Sequence, residues 1–221
     1  MNAFLTEINW PQMIEAIQET IYMTFFSLLF AVILGFVVGI VVYVTQEDGL
    51  YPNKVINKIL DFLINVLRSL PFIILIIIIL PFTKLIVGTI LGASAALPAL
   101  IISSAPFYAR MCMIALNEVD KGTIEASKAM GASSLQIILK VLIPEAKPAL
   151  VSSITVMGVS LVGYTAMAGC IGAGGLGNLA YMYGFIRENY YVMYTATVFV
   201  LVIVFFIQGV GDYIVRKIDK R

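Results

Sequence analysis

The chain of 221 residues is 61% hydrophobic and only 12% charged, with a formal net charge of +1. Soluble domains carry roughly 25% charged residues, so this composition excludes a soluble globular protein and describes an all-α integral membrane protein. Histidine is absent, which removes imidazole acid–base chemistry and the common transition-metal sites; no metal, cofactor or nucleic-acid partner is expected.

The first 19 residues carry Glu7, Glu15 and Glu19 and neither Lys nor Arg. They lack the basic n-region of a cleaved signal peptide, so this segment is expected to stay attached and to face outward. Crossing a hydrocarbon core takes about 20 residues of helix. No residue between Glu19 and Glu47 is charged, which predicts a first span over 20–46. A second span, 55–80, has a polar first half in which Asn57, Lys58, Asp61, Asn65 and Arg68 form one stripe at helical spacing. An arginine facing lipid at mid-depth costs roughly 2.5–3.5 kcal/mol even on insertion scales, so the stripe faces protein or an inner aqueous cavity. Asp61 and Arg68, seven apart, are expected to join one structural network through neighbours. The uncharged stretch from Lys84 to Arg110 predicts a third span, 87–113. Pro71, Pro98 and Pro106 fall inside spans and free carbonyls that need partners or water. Kinks lining a cavity are expected there, with Ser103, Ser104 and Tyr108 as polar walls.

Residues 121–146 interrupt the apolar pattern with charge. Thr123 is placed to cap a short helix, with Glu125 at its second position near the positive end of the helix dipole. Gly131 supplies the left-handed residue that ends it. Ser133 with Gln136 three residues later is a capping-box pattern, starting a second helix through Leu135, Ile138, Leu139 and Leu142. Pro144 stops or kinks that helix and suits the first turn of the rise into a fourth span, 148–170. Two short helices with a glycine corner make a shape built to dock.

After Ala168 glycines break the pattern, and a re-entrant or external loop follows. Gly172 to Gly177 spells G-x-G-x-x-G, but that fingerprint binds dinucleotides only after a strand within a βαβ unit, and here a membrane helix precedes it. The chain has no G-x-x-x-x-G-K-[ST] loop either, so no nucleotide-binding motif is read in it. Gly172, Gly174, Gly175 and Gly177 instead let two backbones approach at the outer end of a path. The stretch between Glu188 and Asp212 is again uncharged and predicts a fifth span, 190–212. Cys112 and Cys170 fall at opposite ends of different spans, so both read as free, buried thiols.

Cytoplasmic loops retain Lys and Arg. With the N-terminus outside and the C-terminus cytoplasmic, the inner segments hold Lys54, Lys58, Arg110, Lys121, Lys128, Lys140, Lys147, Arg216, Lys217, Lys220 and Arg221, eleven of the 14 basic residues. Only Lys84 and Arg187 lie outside, and Arg68 lies within a span.

The stretch Glu125-Ala126-Ser127, with Gly131 after three more residues and then Val141-Leu142-Ile143-Pro144, resembles the EAA loop of permease subunits of ATP-binding-cassette importers. Ser127, Val141 and Ile143 are mild departures from that pattern. RSLPFIILI (Arg68 to Ile76), APFYARM (Ala105 to Met111) and VGYTAMAGCIGAGGLG (Val162 to Gly177) are similar to the methionine-import subgroup. The resemblance covers nearly the whole chain and implies a type I ABC importer permease fold with five transmembrane helices in the bacterial cell membrane. It implies translocation of methionine, in D and L forms, with Glu125, Ala126, Ser127, Gly131, Ala132, Val141, Ile143 and Pro144 coupling to the ATPase. The implied partners are a second copy in a homodimer, two ABC ATPase subunits, an extracytoplasmic methionine-binding lipoprotein and membrane lipid. Another small amino acid or metabolite is the alternative cargo.

Met167 is the one large side chain among Thr165-Ala166-Met167-Ala168-Gly169. In a two-fold dimer a residue near the axis meets its own copy, so Met167 is expected to gate the path, with Tyr164, Ser160 and Gly163 beside it. Met111, Met113, Met157, Met167 and Tyr164 are expected as soft, polarizable walls for methionine. Two other classes compete. A transporter or channel working without ATP often carries deep ionisable coupling residues or paired inverted repeats, and an intramembrane enzyme needs a nucleophile with a base or a carboxylate pair at mid-depth. The spans offer none of these, and co-purification of an ATPase subunit separates the first reading from both.

Overall fold

The computed structural model describes residues 8–219, all turns and helix; Glu7, Lys220 and Arg221, invoked above, lie outside them. The first helix, α1 (Trp10–Val44), is capped by Asn9, whose side chain accepts from the Gln12 N–H, and has Pro11 in its first turn. Its 35 residues extend about 52 Å at 1.5 Å each, well beyond the roughly 30 Å of a hydrocarbon core. One face carries small buried residues four apart: Ser27, Ala31, Gly35 and Gly39. A β-carbon at Gly35 would lie 2.5 Å from the Ala105 carbonyl oxygen, and one at Gly39 2.8 Å from that of Ala109. The backbones of α1 and α4 (Ala93–Asn117) therefore touch, and the two helices run parallel. Such close approach is how helices associate in lipid, where apolar side chains gain nothing by leaving the solvent.

The predicted second span is not one helix. It consists of α2 (Lys54–Ser69) and α3 (Phe72–Val87), meeting at 110°. Pro71 drives the break, because its ring excludes the α region for the preceding residue; Leu70 is accordingly extended at φ −79°, ψ 127°. Pro98 and Pro106, by contrast, are carried inside an unbroken α4. That helix starts later than expected, after Gly88 and Gly92 turn the chain with φ of +83° and +90°.

Beyond α5 (Lys121–Ala129), α6 (Ser134–Ile137) continues through a π-helical turn (Ile138–Leu142) into α7 (Ile143–Ala168). Pro144 does not stop this helix. The π turn ends where the Ile143 N–H donates to the Ile138 carbonyl, and the wider register admits the ring of Pro144 in the first turn of α7. A second π turn (Gly169–Ala173), the short α8 (Gly175–Asn178) and a third π segment (Leu179–Ile186) lead to α9 (Tyr190–Ile218). Among the described residues four helices are long and apolar enough to cross a bilayer, or five if the bent α2–α3 pair is one span.

Three buried clusters stack along the molecule, and a smaller fourth joins Val42, Ile64, Ala109 and Met113. One joins Ile8, Met13, Leu176, Leu179 and Val192; the middle one joins Met23, Leu75, Leu100, Tyr108, Met157 and Leu161; the last joins Val44, Cys112, Leu116, Ile137 and Leu142. Asp219 borders a small crevice with Glu118, Val119 and Glu145 at that last level. The described chain thus begins at one end and finishes at the other. The glycine-rich segment belongs to the first end, and the α5–α6 element to the second.

Candidate functional site

The α5–α6 element is built by its caps. Asp120, not Thr123, begins α5, its carboxylate accepting from the Gly122 N–H at 3.0 Å; Thr123 lies inside the first turn and Glu125 is the fifth helical residue. Aspartate takes the position because it already sits one residue ahead of Lys121 with an acceptor of the right length. At the other end the Gly131 N–H donates to the Lys128 carbonyl and the Ala132 N–H to that of Ser127, at 3.0 and 3.1 Å. This is a Schellman closure, and Gly131 takes the left-handed φ of +81° that it needs. The Ser133–Gln136 capping box then closes reciprocally, at 2.9 and 3.4 Å.

Caps at both ends fix which side chains are displayed. Glu125, Ala126 and Gly131 are exposed, and Met130 is 80% exposed beside Leu135 and Leu139. Ser127 is buried and donates to the Thr123 carbonyl at 2.8 Å. Ala132, Val141 and Ile143 are half-buried against the Cys112–Leu116 cluster, whereas Pro144 is exposed. The result is a rigid, partly apolar knob at the end of the molecule that carries most of the Lys and Arg. Apolar side chains held outward by caps are surface kept for a partner.

A second open surface runs along α7. Ser152, Val156, Ser160, Gly163, Met167 and then Cys170 recur at three- and four-residue steps, all exposed or half-exposed, and a β-carbon on Gly163 would meet nothing. Met167 is 45% exposed. Tyr164 turns away from this face and stacks on Phe72 of α3 at 4.8 Å with 15° between the rings. Of the expected soft walls, Met113 and Met157 are buried in helix packing, so they line nothing. Ser104 and Tyr108 are likewise buried; the Tyr108 hydroxyl donates to the Leu150 carbonyl at 3.4 Å. Cys112 is buried as a free thiol, but Cys170 is free and exposed, because it lies on the open face of its helix.

The stripe on α2 divides. Asn57 donates to the Val42 carbonyl at 2.8 Å, tying α2 to the end of α1, and Asn65 donates to Asp61 at 3.0 Å. The partner of Asp61 is Arg110 of α4, at 3.4 Å with both side chains 40% exposed, rather than a network with Arg68. Arg68 stays exposed on α2. Sequence spacing favoured the residue on the same helix, whereas packing brought the one 49 positions away.

The four glycines of the 172–177 segment pack closely within the chain. Gly174 and Gly175 lie against Glu19 and Thr20 of α1, Gly172 against Leu91, and Gly177 against the backbone of Ala166. No strand precedes them among the described residues. Glu19 and Thr20 escaped sequence reasoning, since their partners lie 156 residues away.

Residues 35–220 match the family of the binding-protein-dependent transport system inner membrane component. Over 99% of its length the chain is 58% identical to the methionine import system permease protein MetP of Bacillus subtilis (strain 168), 98% of which is covered. It is 42% identical to the probable D-methionine transport system permease protein MetI of Vibrio cholerae over 97% of this chain and 95% of that one. A solved structure of the MetNI methionine ABC transporter in an inward-facing conformation superposes with a TM-score of 0.92 at 44% identity, covering 95% of this chain and 97% of that one. An amino acid ABC transporter crystallised with histidines shares the fold, with a TM-score of 0.80 at 20% identity over 97% of this chain and 98% of that one. By its sequence along most of its length and by its fold, the chain belongs to the family of binding-protein-dependent transport system inner membrane components.

Proposed function

We propose that this chain is the membrane-spanning permease subunit of an ATP-binding-cassette importer that carries methionine into the cytoplasm. The observation that carries the reading is the full-length similarity to methionine permeases, together with an exposed, doubly capped knob in which Gly131 turns the corner. The knob is the coupling element: Glu125, Ala126, Gly131 and the exposed Met130, Leu135 and Leu139 face an ATPase subunit. Ser127, Ala132, Val141 and Ile143 hold it on the bundle, and Pro144 stands in the first turn of the helix that carries it. The end bearing the knob and most of the basic residues is cytoplasmic, as the retention of Lys and Arg on that side favours, and the glycine-rich end faces outward. Two copies of the chain assemble with two ATPase subunits and receive substrate from an extracytoplasmic binding protein.

The open face of α7 is the translocation surface, with Ser160 and Gly163 along it and Met167 as the gate. Tyr164 supports that face from behind, through its stack on Phe72. An uncharged thioether side chain suits a face with few fixed charges. Reconstitution with the partner ATPase in vesicles tests this directly: radiolabelled methionine should accumulate only with ATP and ahead of lysine or glutamate. Preferential uptake of either charged amino acid contradicts the assignment, and uptake independent of ATP removes the importer reading altogether.

A further inference from the structure

The glycine-rich end contains a joint between α1 and the segment that follows α7. The Gly175 N–H donates to the Glu19 carboxylate at 2.6 Å, and the next N–H, of Leu176, donates to the Thr20 hydroxyl at 2.9 Å. Thr20 in turn donates to the Ala16 carbonyl at 2.9 Å, so its hydroxyl is oriented with its lone pairs toward Leu176. Both bonds satisfy N–H groups at the start of the helical run from Gly175 to Ile186, where a carboxylate also meets the positive end of the backbone dipole. The approach is possible only because residue 175 lacks a side chain: a β-carbon there would lie 2.8 Å from the Thr20 hydroxyl. On the opposite side the Gly92 N–H donates to the Gly172 carbonyl at 2.9 Å.

What this corner holds is the end of α7. Gly177 packs on the backbone of Ala166, the residue next to Met167, and a β-carbon on Gly169 would lie 2.6 Å from the Asn178 nitrogen. A chain of close contacts therefore leads from the Glu19 carboxylate through Gly175 and Gly177 to Ala166, beside Met167. The bundle does not need the joint to fold, since α1 already packs on α4 along Ser27 to Gly39. Nor is it sealed. Glu19 is half-buried and borders a groove of about 180 Å³ with Gln12, Glu15 and Asn178. Water can replace the bond when the helices part, without leaving a buried charge stranded.

We propose that Glu19 and Thr20 form a clamp that holds the outer end of α7 closed, which makes Glu19 a positioning residue for the gate. The inference rests on the reading of α7 as the translocation surface. Its force is one charge-assisted hydrogen bond, of the stronger kind, beside a neutral one from Leu176 to Thr20, both broken and remade as α1 and the segment after α7 separate and return.

The test uses the complete transporter with its ATPase, reconstituted in vesicles loaded with radiolabelled methionine, and reads leak in the absence of ATP. Glu19→Ala should raise the leak about tenfold, the effect of one lost charged hydrogen bond on a closed–open equilibrium. Glu19→Gln keeps an acceptor oxygen without the charge and should leak less than Glu19→Ala; Thr20→Val should leak at an intermediate level. Assembly with the ATPase should be unchanged and the melting temperature should fall by no more than that one bond accounts for, so that leak without disassembly separates the clamp from a purely structural role. A tight Glu19→Ala complex overturns the clamp, and a leaky Met167→Ala beside it leaves the gate standing. A leaky Glu19→Ala beside a tight Met167→Ala supports the clamp and moves the gate off Met167. Should Glu19→Ala not assemble, Glu19→Gln and Thr20→Val decide by the same criterion: leak supports the clamp and tightness overturns it.

Discussion

A methyl group at Gly35 has nowhere to go. The nearest atom is a main-chain oxygen of α4 at 2.5 Å, and backbone cannot yield as a flexible side chain can. Gly35→Ala should therefore push α1 off α4 and lower stability by about 1–3 kcal/mol, the usual cost of overpacking. Gly209 of α9 provides the contrast, because a β-carbon there meets no atom and alanine is the better helix former. Melting of the purified complex in detergent should separate the two, with Gly35→Ala falling and Gly209→Ala holding or rising. Equal melting temperatures would mean that the helix contact is looser than these distances. The spacing of Ser27, Ala31, Gly35 and Gly39 was available in the sequence as a small residue every fourth position. Its partner was not, since any helix with a small face could have met it.

At the scale of elements, the capped knob was legible almost completely. Its signals are local: a glycine that must be left-handed, a serine and a glutamine three apart, and charges between two apolar blocks. Thr123 was the local error, because Asp120 three residues earlier caps the same helix. Gly131→Asp tests the element. Its β-carbon would meet no neighbour, so the penalty is the left-handed backbone, about 1–2 kcal/mol for a side-chain-bearing residue, spent where the knob must keep its shape. The spans should remain intact while transport uncouples or the ATPase dissociates. Normal methionine transport with a normally bound ATPase in that variant would defeat the coupling assignment. The bent α2–α3 pair is the opposite case, for Pro71 was visible but the 110° turn was not. A proline allows a kink or a corner equally, and which one forms depends on what α3 packs against.

At the scale of the whole molecule, the open face of α7 is surface that this chain alone does not cover. In an isologous dimer Met167 near the axis faces its own copy. Met167→Cys should then cross-link between subunits without nucleotide, because a disulfide requires β-carbons about 4 Å apart. Met167→Ala should let methionine pass without ATP. Absence of cross-links in every nucleotide state, with tight Met167→Ala vesicles, would place the gate elsewhere. By itself the sequence determined whatever depends on local backbone chemistry and on transfer from water to lipid: the helical membrane class, most of the long apolar helices, the capped knob and the asymmetry of basic charge. These follow from a few neighbouring residues, each acting on its own segment. Only the tertiary structure decided that Asp61 pairs with Arg110, that Met113, Met157, Ser104 and Tyr108 are buried, and that Glu19 and Thr20 hold a corner 156 residues away. Those outcomes depend on which faces of different helices meet, and in lipid that choice is made by shape and hydrogen bonding between segments, with no hydrophobic pattern to announce it.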